Sequence, residues 1–154
     1  MNRKVGWLLA GALVGVLAAG PLQARSEAGT GPATIRINDR QLAVTRVDIG
    51  APGTSPGDVE IVRSRLFQRG TRDVIGHGEL VCTFVDNVRS RSCRGTYVLP
   101  KGELVVGGSI LYRQFYDLAV LGGTGLYDNA RGTLTVTRTH RKPVRDVVVF
   151  RLVG

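Results

Sequence analysis

The 154-residue sequence has only two cysteines and two histidines, and His77 and His140 are far apart. Such a set is too small for a zinc site and lacks a familiar ligand spacing. Helical periodicity is equally scarce. No apolar 3.6-residue repeat persists beyond a turn or two, which leaves the strand as the repeating element. Long apolar runs are confined to the start, Val5 to Ala19, and that run is shorter than the ~20 residues a spanning helix needs. Aromatic residues make up 6% of the chain and are not interleaved with the arginines, as a single-strand nucleic-acid platform requires. Neither histidine stands beside a nucleophile in a recognisable elbow, so a hydrolase triad is unsupported.

What is present begins with a basic Met1-Asn2-Arg3-Lys4, an apolar run and a small residue at Leu22-Gln23-Ala24. This is the pattern of a cleaved signal peptide over residues 1–24, and it predicts a secreted, extracytoplasmic protein with no stable membrane span after processing. A retained anchor is the competing reading. Residues 25–33, with Ser, Glu, Gly, Thr and Pro and almost no apolar content, read as a disordered lead, followed by one domain over 34–154. Without Arg3 and Lys4 the formal charge of +9 becomes +7. The arginines are densest at Arg63 to Arg72, Arg89 to Arg94 and Arg138 to Arg145. Scattered in this way they read as solvated strand edges and turns, with no specific nucleic-acid binding expected.

Strand-like runs follow one another at Thr34–Ile37, Leu42–Asp48, Val59–Phe67, Glu79–Val85, Cys93–Leu99, Leu104–Leu111, Phe115–Leu121, Thr133–Thr139 and Asp146–Val153. Gly, Pro and Asp turns separate most of them. Eight or nine short strands without helices predict an all-β antiparallel barrel or sandwich. A closed eight-stranded barrel is preferred, since it can enclose one small ligand. The last strand, with Val147-Val148-Val149-Phe150, is apolar on both faces, so its outer face asks for a partner surface. Cys82 and Cys93 flank a polar loop and stand nearly opposite across a hairpin, which suits a disulfide in an exported chain; two reduced, buried thiols are the alternative. If Cys82 points inward, so do Leu80 and Phe84, and across the hairpin Cys93, Gly95 and Tyr97. Gly95 would then leave space, and the Tyr97 phenol would orient a ligand oxygen or simply be a satisfied core hydroxyl. Asp48 ends a strand just before the long Gly/Pro loop, where small barrels have their mouth, and is a second candidate ligand-binding residue. Asp58 and Glu60, beyond that loop, are expected to be exposed.

The sharpest motif is Gly122-Gly123-Thr124-Gly125-Leu126-Tyr127, with Ala130-Arg131-Gly132 closing it. A dinucleotide loop is excluded because a period-2 strand, Gly132 to Arg138, follows where a helix is required. Together with Ile75-Gly76, Cys82, Gly95-Thr96-Tyr97 and Gly102 before Glu103 to Gly108, the motif resembles the dirigent and allene oxide cyclase barrel superfamily, of the calycin type, over Val44 to Gly154. The resemblance implies a closed barrel, a homo-oligomer (a trimer), a hydrophobic small-molecule ligand or reactive intermediate, and no cofactor. It implies that the barrel directs the stereochemistry of a cyclisation or coupling; a non-catalytic extracellular carrier or structural barrel is the alternative. It also assigns ligand binding to Arg131, which holds the place of the dirigent arginine, with a salt bridge or hydrogen bond that ties the turn to an adjoining strand, Asp128 or Asp117 being possible partners, as the structural alternative. Alignment through Val47-Asp48 puts Ala43 and Thr45 where allene oxide cyclases have a glutamate and an asparagine. Neither replacement can assist epoxide opening electrostatically, which counts against that activity.

Overall fold

A computed structural model describes residues 33–86, 89–111, 115–139 and 144–153. The expected signal peptide, the lead through residue 32, and His140 lie outside them. Eight strands, β1 Ala33–Val47, β2 Val59–Gln68, β3 Val74–Phe84, β4 Ser90–Leu99, β5 Gly102–Leu111, β6 Phe115–Gly123, β7 Arg131–Arg138 and β8 Arg145–Val153, each pair antiparallel with the next. β8 returns to β1 and closes the sheet. The expected all-β closed barrel is therefore the fold.

Alternation does most of the work. Leu134, Val136, Val148, Phe150 and Leu152 are buried while the residues between them face outward, as a barrel with one filled face requires. The runs Thr34–Ile37 and Leu42–Asp48 turn out to be one strand, because a bulge between Gln41 and Ala43 carries the ladder across the polar residues between them. The bulge also reverses parity. Before it Ile37 and Asp39 point inward; after it Val44 and Arg46 pair with Val62 and Glu60 on the inner side. Ala43 and Thr45 are thereby turned to the outer side.

The two ends differ. At the lower end, where β2, β4 and β6 finish, the Gly122–Gly125 segment runs into a single 3₁₀ turn, Gly125–Tyr127, that folds under the barrel. Leu126 N donates to Lys101 O at 2.8 Å and Thr124 N to Glu103 O at 2.9 Å. A Cβ on Gly102, whose φ is +139°, would lie 2.0 Å from Thr124 O, and one on Gly123 2.4 Å from Tyr127 O. The glycines are there so that backbone can seal against backbone. With Tyr127 and Ala130 buried beneath, this end is a closed apolar floor. The upper end, where β1, β3, β5 and β7 finish, carries the polar interior. Cys82 and Cys93 are register partners and form the expected disulfide. Closing a hairpin of this length contributes about 2–3 kcal/mol by the chain-entropy account.

Candidate functional site

Inward parity continued to the strand ends places charges inside the barrel. From Ile35 and Ile37 it reaches Asp39; from Phe150 and Val148, Asp146; from Leu134 and Val136, Arg138. Register makes the three neighbours: Asp146 pairs with Asp39 on one side and with Arg138 on the other. Arg138 Nε lies 3.7 Å from Asp146 Oδ2. Ser64, Tyr97 and Tyr116 complete the cluster, all buried. Tyr97 stacks edge-on against Phe150, with centroids 5.2 Å apart. Tyr116 lies under the Arg138 guanidinium at 5.8 Å. Gly78 makes room for this packing, because a Cβ there would stand 2.8 Å from Ser64 Oγ and 3.2 Å from the Tyr97 ring.

The electrostatics follow from two carboxyls out of water beside one guanidinium. Burial pushes Asp39 up to about 7; the Asp146 charge adds to the rise, while the Ser64 hydrogen bond and Arg138 oppose it. Burial also raises Asp146, against the pull of Arg138 and the Thr139 amide. Asp146 Oδ1 is buried without a hydrogen-bond partner among the described residues. Burial takes Tyr116 up to about 12 and Tyr97 well above its ordinary value, so both phenols stay protonated donors. A carboxyl that titrates near neutrality, a fixed guanidinium and two neutral phenols can protonate or deprotonate a substrate and hold its oxygen.

Open space inside this cluster amounts to only about 20 Å³, room for roughly one water. Among the described residues the rest of the interior is packed with side chains, as is usual for eight strands. Gly95 leaves no gap either: a Cβ there would meet Glu79 O at 2.3 Å, so the glycine serves close strand approach. The larger space, about 510 Å³, is at the upper mouth between Gln41, Val44, Arg46, Glu60 and Arg138. Gln41 and Arg138 line both spaces.

A second buried charge group supports that mouth. Glu60 Oε2 accepts from Arg46 Nε at 3.0 Å, and Glu60 Oε1 pairs with Arg91, whose guanidinium lies 4.3 Å over the Phe84 ring. Glu60 and Arg91 are each about 5% exposed. The expectation that Asp58 and Glu60 are exposed is thus corrected. The long loop folds over the barrel rim, and Asp58 organises it by accepting from Ile49 N, Ser55 N and the Ser55 hydroxyl. Those amide hydrogen bonds lower the Asp58 pKa.

Of the three residues chosen from sequence, only Tyr97 is in the cluster. Arg131 is exposed, because Gly132 takes the inward position next to it, and its guanidinium donates to Ala130 O at 2.9 Å. The inward-facing arginine expected there is instead Arg138, at the far end of the same strand. Asp117, one suggested partner of Arg131, accepts from Thr135 Oγ1. Asp48 is at the mouth end as expected but exposed, and it accepts Gly53 N at 3.1 Å within the loop. His77 points outward between two inward glycines. No group of three potential metal ligands occurs among the described residues.

No family model and no curated protein matches the sequence. Solved structures do match in fold. The chain is similar to a pyocyanin demethylase at 25% identity and a TM-score of 0.68, covering 78% of this chain and 99% of the other. It is similar to a pterocarpan synthase dirigent protein at 15% identity and 0.60, covering 78% and 88%. It is also similar to AbnU, an exo-specific intermolecular Diels–Alderase, at 12% identity and 0.63, covering 79% and 98%.

Proposed function

We propose that this chain, whose fold is that of the dirigent-protein barrels, receives a hydrophobic, oxygen-bearing small molecule or reactive intermediate at its upper mouth and directs the stereochemistry of its cyclisation or coupling. The neighbours in fold bear the names of a demethylase, a synthase and a Diels–Alderase, so the barrel alone does not choose the chemistry. The single observation that carries the reading is the Asp39–Asp146 pair beside Arg138, directly beneath the mouth. In this reading Arg138 holds the substrate oxygen and Asp39 exchanges a proton with the reacting centre. Tyr97 and Tyr116 form the polar floor. Rate and selectivity come chiefly from orientation. Tyr97 keeps its proposed role; Arg131 and Asp48, on the outside and in the loop, do not touch this substrate.

The filled interior favours a second reading, a non-catalytic extracellular binding or structural barrel. One experiment separates them. Molecules retained by the purified protein are identified by mass spectrometry, then supplied to wild type, Arg138→Gln and Asp39→Asn. Directed conversion predicts binding weakened by about tenfold or more in Arg138→Gln, and normal binding with an altered product ratio in Asp39→Asn. Equal binding and identical products in all three overturn the proposal.

Export and self-association belong to the same proposal. The disulfide suits an oxidising compartment, and β8 turns Val147 and Val153 outward, 39% and 57% exposed. A homo-oligomer, as a trimer, is expected to cover this strip. Light scattering at micromolar concentration should return about three times the chain mass, and a monomer would contradict it.

A further inference from the structure

A closed barrel has no strand edges to guard, so the arginine runs lose the role that scattered charges have in an open sheet. The fold instead gathers them. Arg145 on β8 is the register partner of Arg40 on β1, Arg40 is the partner of Arg65 on β2, and Arg65 is the partner of His77 on β3. Parity sends this row to the outer surface, since its neighbours Asp39 and Asp146 point in. Like charges directly opposite across strands are destabilising. None of Arg40, Arg65, Arg72 or Arg145 forms an ion pair among the described residues, where the pairs are Glu60 with Arg46 and Arg91, and Asp146 with Arg138.

Beside this row lies a groove of about 440 Å³, lined by Asn38, Asp39, Arg40, Phe67, Thr71, Arg72 and Arg145; its one acid, Asp39, is held protonated up to about pH 7 by burial and so offsets little of the arginine charge. Arg72 is delivered by a fixed turn. Gln68 N donates to Asp73 O at 3.1 Å, Thr71 N to Gln68 O at 3.2 Å, and Asp73 N to Thr71 Oγ1 at 3.1 Å. Thr71 Oγ1 thereby accepts, and its own O–H remains a donor. Three guanidiniums from three separate elements, with an amide and a hydroxyl, call for more than one negative charge and for several acceptor oxygens. The Phe67 ring on one wall suits a flat apolar group carrying that charge. A single carboxylate would leave the excess positive charge uncompensated.

We propose that this groove is a binding site for a soluble aryl phosphate, a dianionic tetrahedral ester on a flat ring. It shares Asp39 with the interior cluster, but its three arginines are separate from the mouth residues and from Arg138, so Arg40 and Arg145 test it apart from the function proposed above. The test uses the full mature chain with phenyl phosphate as probe, inorganic phosphate and benzoate as comparisons, and binding followed by titration calorimetry and amide chemical shifts. Phenyl phosphate should bind most tightly, with shifts at residues 38–40, 67–72 and 145. Arg40→Gln and Arg145→Gln should each raise its Kd about tenfold or more, whereas Arg94→Gln, which removes the same charge from β4, should change it less than about twofold. Because the row is self-repelling, both groove variants should melt no lower than wild type, which guards against misreading an unfolded protein. Equal weakening by all three variants would reveal a diffuse charge effect and overturn the site. So would benzoate binding as well as phenyl phosphate, or binding only to phosphatidate-containing vesicles.

Discussion

Glu60→Ala is expected to destabilise the barrel by about 3–5 kcal/mol, the cost of leaving a buried guanidinium without its carboxylate. Arg91 is about 5% exposed, lies on the Phe84 ring and faces Glu60 across the rim. With the acid gone it keeps the ring contact but loses its compensating charge. Arg46→Ala should behave differently. Its side chain is 62% exposed, so loss of that pair is screened and should cost less than about 1 kcal/mol. The double variant Glu60→Met/Arg91→Leu removes both buried charges and fills similar volume. It is expected to recover most of the loss and to come out close to neutral, since the pair's attraction roughly repays its desolvation. Urea denaturation of the four proteins measures the coupling directly. If Glu60→Ala and Arg46→Ala fall by the same small amount, the rim is wetter than its burial indicates. A double variant as unstable as Glu60→Ala would show that the loss comes from packing rather than from charge.

How much of this was legible in the sequence depends on parity. The barrel was readable because Leu134, Val136, Val148 and Phe150 alternate with polar residues, and the disulfide because Cys82 and Cys93 sit at mirrored places of one hairpin. Tyr97 followed from the same counting. The catalytic candidates were missed although the same count reaches them. Continued by two residues it lands on Arg138, Asp146 and Asp39, and continued back from Leu118 it lands on Tyr116. These positions lie near turns or in arginine-rich stretches, where charge is ordinarily solvated, and so composition outweighed period. What sequence could not give was the shear that lays the start of β8 beside the middle of β1, so that Asp39 and Asp146 become neighbours. The bulge at Gln41 and Ala43 was equally hidden, and it decides that Arg46, not Thr45, meets Glu60. The glycine motif was conspicuous for a structural reason. It seals the apolar floor, at the opposite end from the charges, and Arg131 beside it lies on the outer surface.

Asp39→Asn should remove most of the pH dependence of folding near neutrality. In the folded barrel Asp39 holds its proton up to about pH 7, against an ordinary value of 3.8. Between those values the native state binds more protons than the unfolded chain, so the Asp39 contribution to stability is full below about pH 4 and is lost as pH rises to about 7. Asp146, raised in the same direction by burial, steepens the fall. A shift of this size corresponds to a loss on the order of a few kcal/mol across that window. Asparagine is nearly isosteric and cannot ionise. The variant should therefore match wild type near pH 4 and exceed it by on the order of a few kcal/mol at pH 8, with the Arg138–Asp146 ion pair left as a neutral unit. Asp146→Asn supplies the contrast, because it strips Arg138 of its counterion and should destabilise at neutral pH while Asp39 then ionises more easily to replace it. Denaturation curves for the three proteins from pH 4 to 8 decide the matter. A wild type whose stability is flat over that range, or an Asp39→Asn variant with an unchanged slope, would mean that Asp39 is ionised in the folded barrel at every pH tested. It could then not be the group that gives up a proton beneath the mouth.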